Sequence, residues 1–443
     1  MRIGICGLGT VGFGVLTLIA KNAEEIRRKT GFVIEIAQVG NRNADPLGLN
    51  RQIEVASAKG DTWHISTQFT SDIFDVVRNP DVDVVLELIG GTDVALKLVT
   101  EAIRNRKHVV TANKALIAMH GDEIFAQAAA AGVQVRFEAA IAGGIPIVKS
   151  IREGLAANRI AWLVGIINGT TNYILTEMEQ AGTNLRFEDV LKEAQQLGYA
   201  EADPTFDVEG IDAAHKLTIL SSIAFGTPLQ FAAVYTEGIS GITSEDIRYA
   251  DELGYRIRHL GIARKSENGV ELRVHPALIR KEEMLAQVNG VMNAVMVASD
   301  SAGRTMYYGA GAGAGPTASA VVADVIDIAR SEGSTGIANL GFTPKDIQAL
   351  PVVAIEEIAC PCYLRFSVLD QPGVMAQLST VLSQHDISIE ALIQKDAHGG
   401  NAAIVIVTNE VIEKSINASI VEIEALSVVQ GDVTRIRIAD LHE

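Results

Sequence analysis

Cysteine is scarce in this sequence: the only three among 443 residues are Cys6, Cys360 and Cys362. Cys6 lies in an apolar segment, which predicts a buried position in a core. Cys360 and Cys362 are too close together for the usual zinc-binding pair, and no second cluster accompanies them. Because no cysteine lies between residues 7 and 359, an acylating aldehyde dehydrogenase with a mid-chain thiol nucleophile is excluded.

Basic clusters and long apolar runs are also lacking. The chain has 37 basic and 54 acidic residues, a net charge of −17, and it shows no basic stripe of the kind that nucleic-acid binding needs. No apolar run reaches the roughly 18 residues of a membrane span. The N-terminus enters a strand without the regions of a signal peptide. We therefore expect a cytoplasmic protein with neither a nucleic-acid partner nor a membrane partner.

Apolar residues, in contrast, are plentiful. They make up 48% of the chain, against 21% charged residues, so the chain can bury large cores. Its length predicts roughly two to four domains.

A glycine-rich turn follows the first apolar strand, residues 2–6, and precedes an apolar helix that reaches about residue 20. Its residues are Gly7, Leu8, Gly9, Thr10, Val11 and Gly12. Gly7 permits the tight turn, Gly9 lets the backbone approach a pyrophosphate, and Gly12 lets the helix pack on the strand. The helix N-terminus offers its N–H groups to the phosphates. We therefore predict an N-terminal domain that binds a dinucleotide.

The end of the second strand, residues 33–39, bears on the choice of coenzyme. An acid there would bind the ribose 2′-hydroxyl of NAD, whereas an arginine suits the 2′-phosphate of NADP. Arg42 therefore favours NADP, and Lys59 is a weaker second candidate. The alternative is that Arg42 is a solvated loop residue.

Further residues are expected at the same crevice, because ligands of such sheets bind at the carboxyl ends of the strands. Gly90 ends the apolar strand 81–91, and Lys114 follows the strand 108–112. The glycine run 309–315, which includes Gly313, indicates backbone packed closely against a ligand or a strand. The helix after it, with Pro316 in its first turn, is expected to return to the nucleotide domain.

Two segments in the middle of the chain present oxygen and nitrogen groups. Glu138 ends a predicted strand at 133–138, and the loop A-A-I-A-G-G-I-P-I follows it. Carbonyls beside a carboxylate suit a hard cation, although the same pattern fits a turn with a structural acid. The motif N-G-T-T-N at 168–172 begins a helix and suits a substrate carboxylate, or it is a capped turn.

The segment 198–216 is dense in acids and closes with a lysine: G-Y-A-E-A-D-P-T-F-D-V-E-G-I-D-A-A-H-K. Asp212 and Lys216 are four apart on a predicted helix and therefore share one face. Such a pair can bind an amino-acid zwitterion or move a proton. The alternative is a solvated helix start, where acids are favoured by the helix dipole.

The tail, residues 353–437, reads as a separate unit of strand, D-Q-P-G turn, helix, strand, strand, helix and strand. Residues 341–352 read as the linker that precedes it.

Together these motifs resemble homoserine dehydrogenase over about residues 1–340. The resemblance rests on G-L-G-T-V-G, T-A-N-K, E-A-A-I-A-G-G-I-P-I, N-G-T-T-N-Y-I and the segment 198–216, in the expected order. The tail, with D-Q-P-G-V-M, resembles an ACT domain, a βαββαβ module that binds amino acids. The combination is similar to the monofunctional bacterial form.

The resemblance implies an α/β protein in three parts. These are a Rossmann domain at 1–140, to which 309–340 returns; an α+β catalytic and dimerisation domain at 141–308; and an ACT domain at 353–437. It also implies an NAD(P)-dependent oxidoreductase that interconverts L-homoserine and L-aspartate 4-semialdehyde in the biosynthesis of threonine, methionine and isoleucine. A homodimer or homotetramer, with threonine as effector at the ACT domain, is expected.

The resemblance also assigns roles to residues. Lys216 would be the acid and base at the substrate oxygen, with Asp212 orienting it. Glu201 would hold the substrate ammonium, and Lys114 would lie between nicotinamide and substrate. A sodium or potassium ion would be bound by the side chain of Glu138 and the carbonyls of Ile141, Gly143 and Ile145. In that loop A-A-I-A-G-G stands where the family usually has A-T-V-G-A-G.

Two alternatives remain at this point. A non-catalytic sensor of nucleotides and amino acids could use the same modules. Such a sensor would not need to retain all of the catalytic and substrate-binding residues named above, which are Lys114, Glu201, Asp212 and Lys216. Another ACT-tailed dehydrogenase of hydroxyacids would use a catalytic histidine. His215 is adjacent to Lys216 but points about 100° away from it on the helix.

Overall fold

A computed structural model of the chain describes residues 1–42, 67–181, 186–331, 338–394 and 400–441. The chain divides into two compact units. Met1–Leu163, His215–Ala232 and Asn293–Leu350 form unit 1, and Val164–Ala214, Ala233–Met292 and Pro351–Glu443 form unit 2. The predicted domain boundaries remain a prediction. In the described ranges, no helix is both long and apolar enough to cross a membrane.

The described residues contain eighteen strands, numbered in chain order. They are β1 (Arg2–Cys6), β2 (Glu35–Gly40), β3 (Gln68–Thr70), β4 (Val84–Glu87), β5 (His108–Thr111), β6 (Val135–Arg136), β7 (Ile160–Ile166), β8 (Tyr235–Thr236), β9 (Tyr255–Ser266), β10 (Gly269–Arg280), β11 (Met292–Ser299), β12 (Gly303–Ala310), β13 (Ala359–Cys360), β14 (Cys362–Leu369), β15 (Ile389–Gln394), β16 (Asn401–Thr408), β17 (Val411–Ile412) and β18 (Thr434–Ile438).

The α-helices are numbered in the same way. They are α1 (Thr10–Thr30), α2 (Ile73–Arg78), α3 (Asp93–Arg104), α4 (Lys114–Ala131), α5 (Ile147–Lys149), α6 (Gly169–Ala181), α7 (Phe187–Gln196), α8 (Thr205–Val208), α9 (Ile211–Phe225), α10 (Ser244–Glu252), α11 (Ala314–Arg330), α12 (Val374–Gln384) and α13 (Glu413–Glu424).

The first sheet of unit 1 has the strand order β3-β2-β1-β4-β5-β6, and all its neighbouring strands pair in parallel. This is the order of a doubly wound dinucleotide-binding fold, in which the order reverses beside the first strand. Apart from the short edge strand β3, the strands are buried and most are rich in valine and isoleucine, as a sheet covered on both faces requires. The predicted Rossmann domain is thereby confirmed.

Helix α1 is longer than the sequence predicted. It continues past Ala20 to Thr30, with a kink at Asn22, and ends at Gly31 in the left-handed conformation. The apolar pattern stops near residue 20, but ion pairs one turn apart stabilise the polar half of the helix, such as Arg27–Glu24 at 2.7 Å. The prediction followed apolar periodicity alone and therefore ended the helix too early.

The strand predicted at 133–138 is also shorter in the structure. β6 comprises only Val135 and Arg136, and Glu138 begins a 3-10 turn, Glu138–Ala140. In the same unit, α11 packs on α1. A Cβ added at Gly14 would lie 2.4 Å from the carbonyl oxygen of Ala314, so only glycine allows this close approach.

The strands that lie wholly in unit 2 follow the order β9-β10-β18-β14-β16-β15 within one sheet, with β8 paired to β10. Within it β14, α12, β15, β16, α13 and β18 form the βαββαβ module predicted for the tail, and its four strands lie in the order β18-β14-β16-β15. Strand β18 pairs in parallel with β10 through Ala277 and Arg437. The last strand of the ACT module therefore extends the central sheet of unit 2.

Candidate active site

A cavity of about 460 Å³ lies at the carboxyl ends of the parallel strands of unit 1. The residues predicted to bind the coenzyme that line it are Gly7, Leu8, Gly9, Arg42 and Gly90. This is the crevice at which the strand order reverses, where such sheets bind their ligands.

The three glycines of the turn differ in how much space a side chain would find at each of them. Gly7 has a φ of +100°, which a side chain would strain, and a Cβ there would lie 2.7 Å from the carbonyl oxygen of Leu88. A Cβ at Gly12 would lie 2.1 Å from the carbonyl oxygen of Gly7. A Cβ at Gly9 would meet nothing within 4 Å. Gly7 and Gly12 therefore serve the fold, while Gly9 leaves space over the helix N-terminus for a pyrophosphate.

Thr10 and Val11 form the first turn of α1 and do not line the cavity. Gly313 is the residue before α11 and has a φ of +115°. It therefore lies beside the first turns of α1, against which α11 packs.

Two charged residues of opposite sign line the coenzyme cavity. Arg42 was predicted to favour a 2′-phosphate, while Asp72 was not predicted at all. The Asp72 side chain accepts a hydrogen bond of 2.9 Å from the backbone N–H of Phe74 and so caps α2. Lys59, the second candidate for the phosphate, lies outside the described residues.

Glu87 stabilises the loops around this crevice, a role that was not predicted from the sequence. It is fully buried at the end of β4. Its carboxylate accepts hydrogen bonds from the backbone of Ile89 at 3.0 Å, of Gly90 at 3.3 Å, and from the hydroxyl of Thr111 at 2.6 Å. Burial raises the pKa of Glu87, against the effect of these donors. The carboxyl group thus joins the loops that follow β4 and β5.

Lys114 is the first residue of α4, immediately after the loop that follows β5. Its position is fixed by Asn113, whose side chain accepts from the N–H of Leu116 at 3.1 Å and donates to the carbonyl of Gly91 at 2.6 Å. The residue before Lys114 is therefore held beside the Gly90–Gly91 loop, while Lys114 itself does not line the cavity, and its site role stays a prediction.

Glu138 is buried, and its two carboxylate oxygens accept the backbone N–H groups of Val148 and Lys149, each at 2.9 Å. Its own N–H donates to Asp324 at 2.8 Å. Burial, followed by the charge of Asp324, raises the pKa of Glu138 to about 7, and burial raises the pKa of Asp324 to about 6. Two buried carboxyl groups thus lie side by side.

The predicted cation loop follows Glu138 in the chain. The carbonyl of Ile145 accepts the N–H of Ile147 at 2.8 Å, and Gly143 packs so closely that a Cβ would lie 2.6 Å from the carbonyl oxygen of Gly311. In the part of the chain that the structure describes, no three acidic, histidine or cysteine side chains cluster around a metal position. A carbonyl keeps a second lone pair after one hydrogen bond, and the cation at the carbonyls of Ile141, Gly143 and Ile145 stays a prediction.

In unit 2, Asp212 is held by a residue that sequence reasoning did not pair with it. The side-chain amide of Asn168 donates to Asp212 and to Asp207, each at 2.8 Å. Asn168 and Asp212 are almost fully buried. Asn168 is the first residue of the N-G-T-T-N motif and lies directly before α6. The motif therefore contacts the acidic segment through the side chain of Asn168.

The other acids of the segment divide into two kinds. Asp203 accepts the N–H of Thr205 at 3.1 Å and starts the short helix α8, and Glu209 accepts the hydroxyl of Ser240 at 2.7 Å. Both contacts are structural. Glu201 is exposed, and its backbone carbonyl accepts a hydrogen bond of 3.0 Å from the side chain of Gln195.

Lys216 lies one helical turn after Asp212 on α9, as predicted, and it is 9% exposed. Its neighbour His215 stacks on Phe231, with ring centroids 4.1 Å apart. His215 therefore packs in the core of unit 1, which is a structural role.

Known protein families match almost the whole chain. The NAD-binding domain of homoserine dehydrogenase matches residues 7–138, homoserine dehydrogenase matches residues 146–326, and the ACT domain matches residues 363–427.

Individual proteins give the same result. A homoserine dehydrogenase of Pseudomonas aeruginosa is 56% identical, covering 100% of this chain and 99% of that protein. The crystal structure of a homoserine dehydrogenase from Thiobacillus denitrificans is 53% identical with a TM-score of 0.92, covering 100% of this chain and 98% of that one. A hyperthermophilic archaeal homoserine dehydrogenase in complex with NADPH is 25% identical with a TM-score of 0.60, over 77% of this chain and 98% of that one.

Proposed function

The chain belongs to the homoserine dehydrogenase family, and from this membership we propose a role for each residue of its candidate active site. It is an NAD(P)-dependent oxidoreductase that acts on a CH–OH group, and it carries an ACT domain. The reaction of the family interconverts L-homoserine and L-aspartate 4-semialdehyde in amino-acid biosynthesis. A sensor without catalysis is not favoured by this membership.

Lys216 is the proposed acid and base. Reduction of the aldehyde needs a proton at the oxygen that becomes the alcohol, and oxidation needs that proton removed. The bound nicotinamide supplies or accepts the hydride. A buried ammonium group one turn from a buried carboxylate supports the assignment, because the low dielectric strengthens its action on a nearby oxygen. This pairing of Asp212 and Lys216 is the observation that carries the proposal.

Asp212 is proposed to orient Lys216, and Asn168 to hold Asp212 in place. The amide group of Asn168 offers two N–H donors, and both are used on carboxylates. Glu201 is proposed to bind the substrate ammonium, which its exposure supports. Lys114 is proposed to act at the nicotinamide and the substrate, supported by its place at the start of α4.

The coenzyme is proposed to be NADP in preference to NAD, with Arg42 at the 2′-phosphate. The support is that Arg42 lines the same cavity as the glycine turn, and that a relative binds NADPH. Asp72 lines that cavity too and favours a free ribose hydroxyl, but its carboxylate is engaged in capping α2.

A sodium or potassium ion is proposed at the loop of Ile141, Gly143 and Ile145 beside Glu138. The buried carboxyl groups of Glu138 and Asp324 support it, since a cation would offset the cost of ionising them. A homodimer or homotetramer, and threonine as effector of the ACT domain, are proposed from the family. Light scattering of the purified protein and an assay in millimolar threonine test these two points.

One assay tests the proposed function as a whole. Purified protein is mixed with L-homoserine and either NADP or NAD, and the absorbance of the reduced coenzyme is followed. We expect reduction that depends on homoserine and is faster with NADP at equal low concentration. Absence of turnover with both coenzymes would contradict the function, whereas faster turnover with NAD would contradict only the role of Arg42.

A further inference from the structure

His259 is a buried histidine of unit 2 that lies outside the residues assigned to catalysis. It belongs to β9 and is 3% exposed. Its Nε2 lies 3.0 Å from the backbone carbonyl oxygen of Glu237. A carbonyl can only accept, so Nε2 carries the proton and donates. Over the ranges that the structure describes, Nδ1 of this ring has no hydrogen-bond partner. The bond to Glu237 therefore offsets the cost of burying a polar ring.

The ring reaches Glu237 across a strand. His259 lies opposite Pro276 of β10 in the antiparallel register of β9 and β10. On the other edge of β10, Val274 is paired with Thr236 of β8, and β8 ends directly before Glu237. A strand has one neighbour on each edge, so β9 and β8 flank β10. The side chain of His259 therefore links the two outer strands of the three.

The same ring supports the residue that precedes α9. Gly210 has a φ of +82°, a conformation that favours glycine. A Cβ there would lie 3.0 Å from one side-chain atom of each strand: Cε1 of His259 on β9, Cγ2 of Thr236 on β8 and Cγ1 of Val274 on β10. The backbone of Gly210 therefore lies against this face of the sheet. Because α9 begins at the next residue, the ring supports the start of the helix that carries Asp212.

The chain just after Glu237 holds the acidic segment in turn. The N–H of Ile239 donates to the carbonyl of Val208 at 2.9 Å. The hydroxyl of Ser240 donates to the carboxylate of Glu209 at 2.7 Å. The three residues before α9 are thus held from the side of the sheet.

The acidic segment is held from a second side by Asn168, whose amide donates to Asp207 and Asp212. Asn168 therefore fixes the two acids, and His259 fixes the turn between them. Burial lowers the pKa of His259 to about 4, so the ring is neutral near pH 7 and keeps Nδ1 unprotonated. The hydrogen bond to Glu237 is thus present across the neutral range.

We propose that His259 is a positioning residue for the oxidation of homoserine. It holds the turn before α9, and with it the carboxylate of Asp212, in the arrangement that turnover needs. It acts through the backbone of Glu237 and Gly210 and not by contact with the substrate. This role rests on the function proposed above, in which Asp212 orients Lys216.

Two variants separate the hydrogen bond of His259 from the volume of its ring. His259→Leu fills a similar space without a donor, whereas His259→Gln keeps a side-chain N–H for the carbonyl of Glu237. His275→Leu is the matched control. His275 is a buried histidine of β10 that lies opposite Leu260, so it points to the other face of the sheet.

Steady-state oxidation of L-homoserine at saturating coenzyme, coenzyme binding by fluorescence, and thermal unfolding are measured on the full chain. We expect kcat/KM for homoserine to fall about fivefold or more in His259→Leu, because the buried carbonyl of Glu237 loses its donor. The coenzyme Kd should stay within about twofold, since the change acts on the acidic segment. His259→Gln should keep kcat/KM within about twofold of the wild type, and His275→Leu should lower thermal stability alone.

Three results would overturn this role. The first is wild-type kcat/KM in a folded His259→Leu that binds coenzyme. The second is a His259→Gln variant that is impaired as much as His259→Leu, because the hydrogen bond would then not be the cause. The third is an equal loss of turnover in His275→Leu, since the effect would then follow from lost stability.

If His259→Leu does not fold, Ser240→Ala decides, because Ser240 is exposed and its hydroxyl engages Glu209. A fall in kcat/KM for homoserine of about threefold or more at unchanged coenzyme affinity supports the role of His259, and wild-type kinetics overturn it. The wild type is assayed first. Absence of homoserine oxidation in the wild type contradicts the proposed function, whereas normal oxidation there with unimpaired variants contradicts only the role of His259.

Discussion

The side-chain amide of Asn168 donates a hydrogen bond of 2.8 Å to Oδ2 of Asp212, although the two residues are 44 positions apart. The second N–H of the same amide is used on Asp207, also at 2.8 Å. Both N–H groups of the Asn168 amide therefore donate to carboxylates. These contacts hold Asp212 in place at the start of α9, one turn before Lys216. This contact links the N-G-T-T-N motif to the proposed proton carrier.

The first prediction follows from this contact. Asn168→Asp keeps the size of the side chain but removes both donors and adds a like charge, which leaves Asp212 buried without this partner. We expect kcat to fall about 10- to 100-fold, as the loss of a hydrogen bond to a charged group implies, with a shifted pH profile.

Steady-state kinetics between pH 6 and 10 measure this effect, and Asn409→Asp, at an exposed asparagine, is the control. Because Asn168 acts through Asp212, the affinity for the coenzyme should remain within twofold. A wild-type kcat and pH profile in Asn168→Asp would show that Asn168 has no positioning role.

The second prediction separates two glycines of the coenzyme turn. Gly9→Ala should leave the stability of the ligand-free protein unchanged, because its Cβ meets nothing within 4 Å, but it should weaken coenzyme binding at least tenfold. Gly12→Ala should lower stability, because its Cβ would lie 2.1 Å from the carbonyl oxygen of Gly7.

Thermal unfolding and coenzyme fluorescence titration measure the two effects. Gly241→Ala, at a glycine with equally open surroundings, is the control for both. Unchanged coenzyme affinity in Gly9→Ala would place the pyrophosphate elsewhere.

The third prediction concerns the choice of coenzyme. Arg42→Ala should raise KM for NADP about tenfold or more, because a charged hydrogen bond to the 2′-phosphate is lost. KM for NAD should change less than twofold, since NAD has no such phosphate. Arg104→Ala, an exposed arginine at the end of α3, is the control. Equal effects on the two coenzymes would contradict the specific role of Arg42.

The sequence predicted those features whose signal is local. The glycine turn, the βαββαβ order of the tail and the helix that carries Asp212 and Lys216 each follow from spacing within a few residues. The contacts of Glu87 with Thr111 and of Asn168 with Asp212 could not be predicted, because they join residues 24 and 44 positions apart. The end of α1 was wrong because charged pairs, and not apolar periodicity, extend it.

The fourth prediction concerns pH and stability. His259 is buried, and burial lowers its pKa to about 4, although the nearby charges of Glu237, Glu209 and Asp212 oppose that effect. Between pH 6.5 and 4 the unfolded chain binds this proton and the folded chain does not, so stability falls as the pH falls through that range. The contribution is complete above pH 6.5 and amounts to about 3 kcal/mol.

Urea unfolding at intervals from pH 7.5 to pH 4.5 measures this slope. His259→Gln keeps a donor for the carbonyl of Glu237, which now lies 3.0 Å from Nε2, and should make the slope shallower. Burial also lowers the pKa of His275, so His275 contributes to the pH dependence of stability in the same direction. Part of the slope should therefore remain in His259→Gln. An unchanged slope in His259→Gln would show that His259 takes up its proton over the same pH range in the folded and the unfolded chain.

The role of Lys216 is the central claim, and one comparison tests it most directly. Lys216→Ala is measured for turnover of L-homoserine and, on the same sample, for coenzyme binding by fluorescence. Removal of a general acid and base costs typically 10²–10⁴-fold, so we expect kcat to fall by that range while the coenzyme Kd stays within about twofold. A kcat near that of the wild type, with the protein folded and the coenzyme bound, would contradict the account.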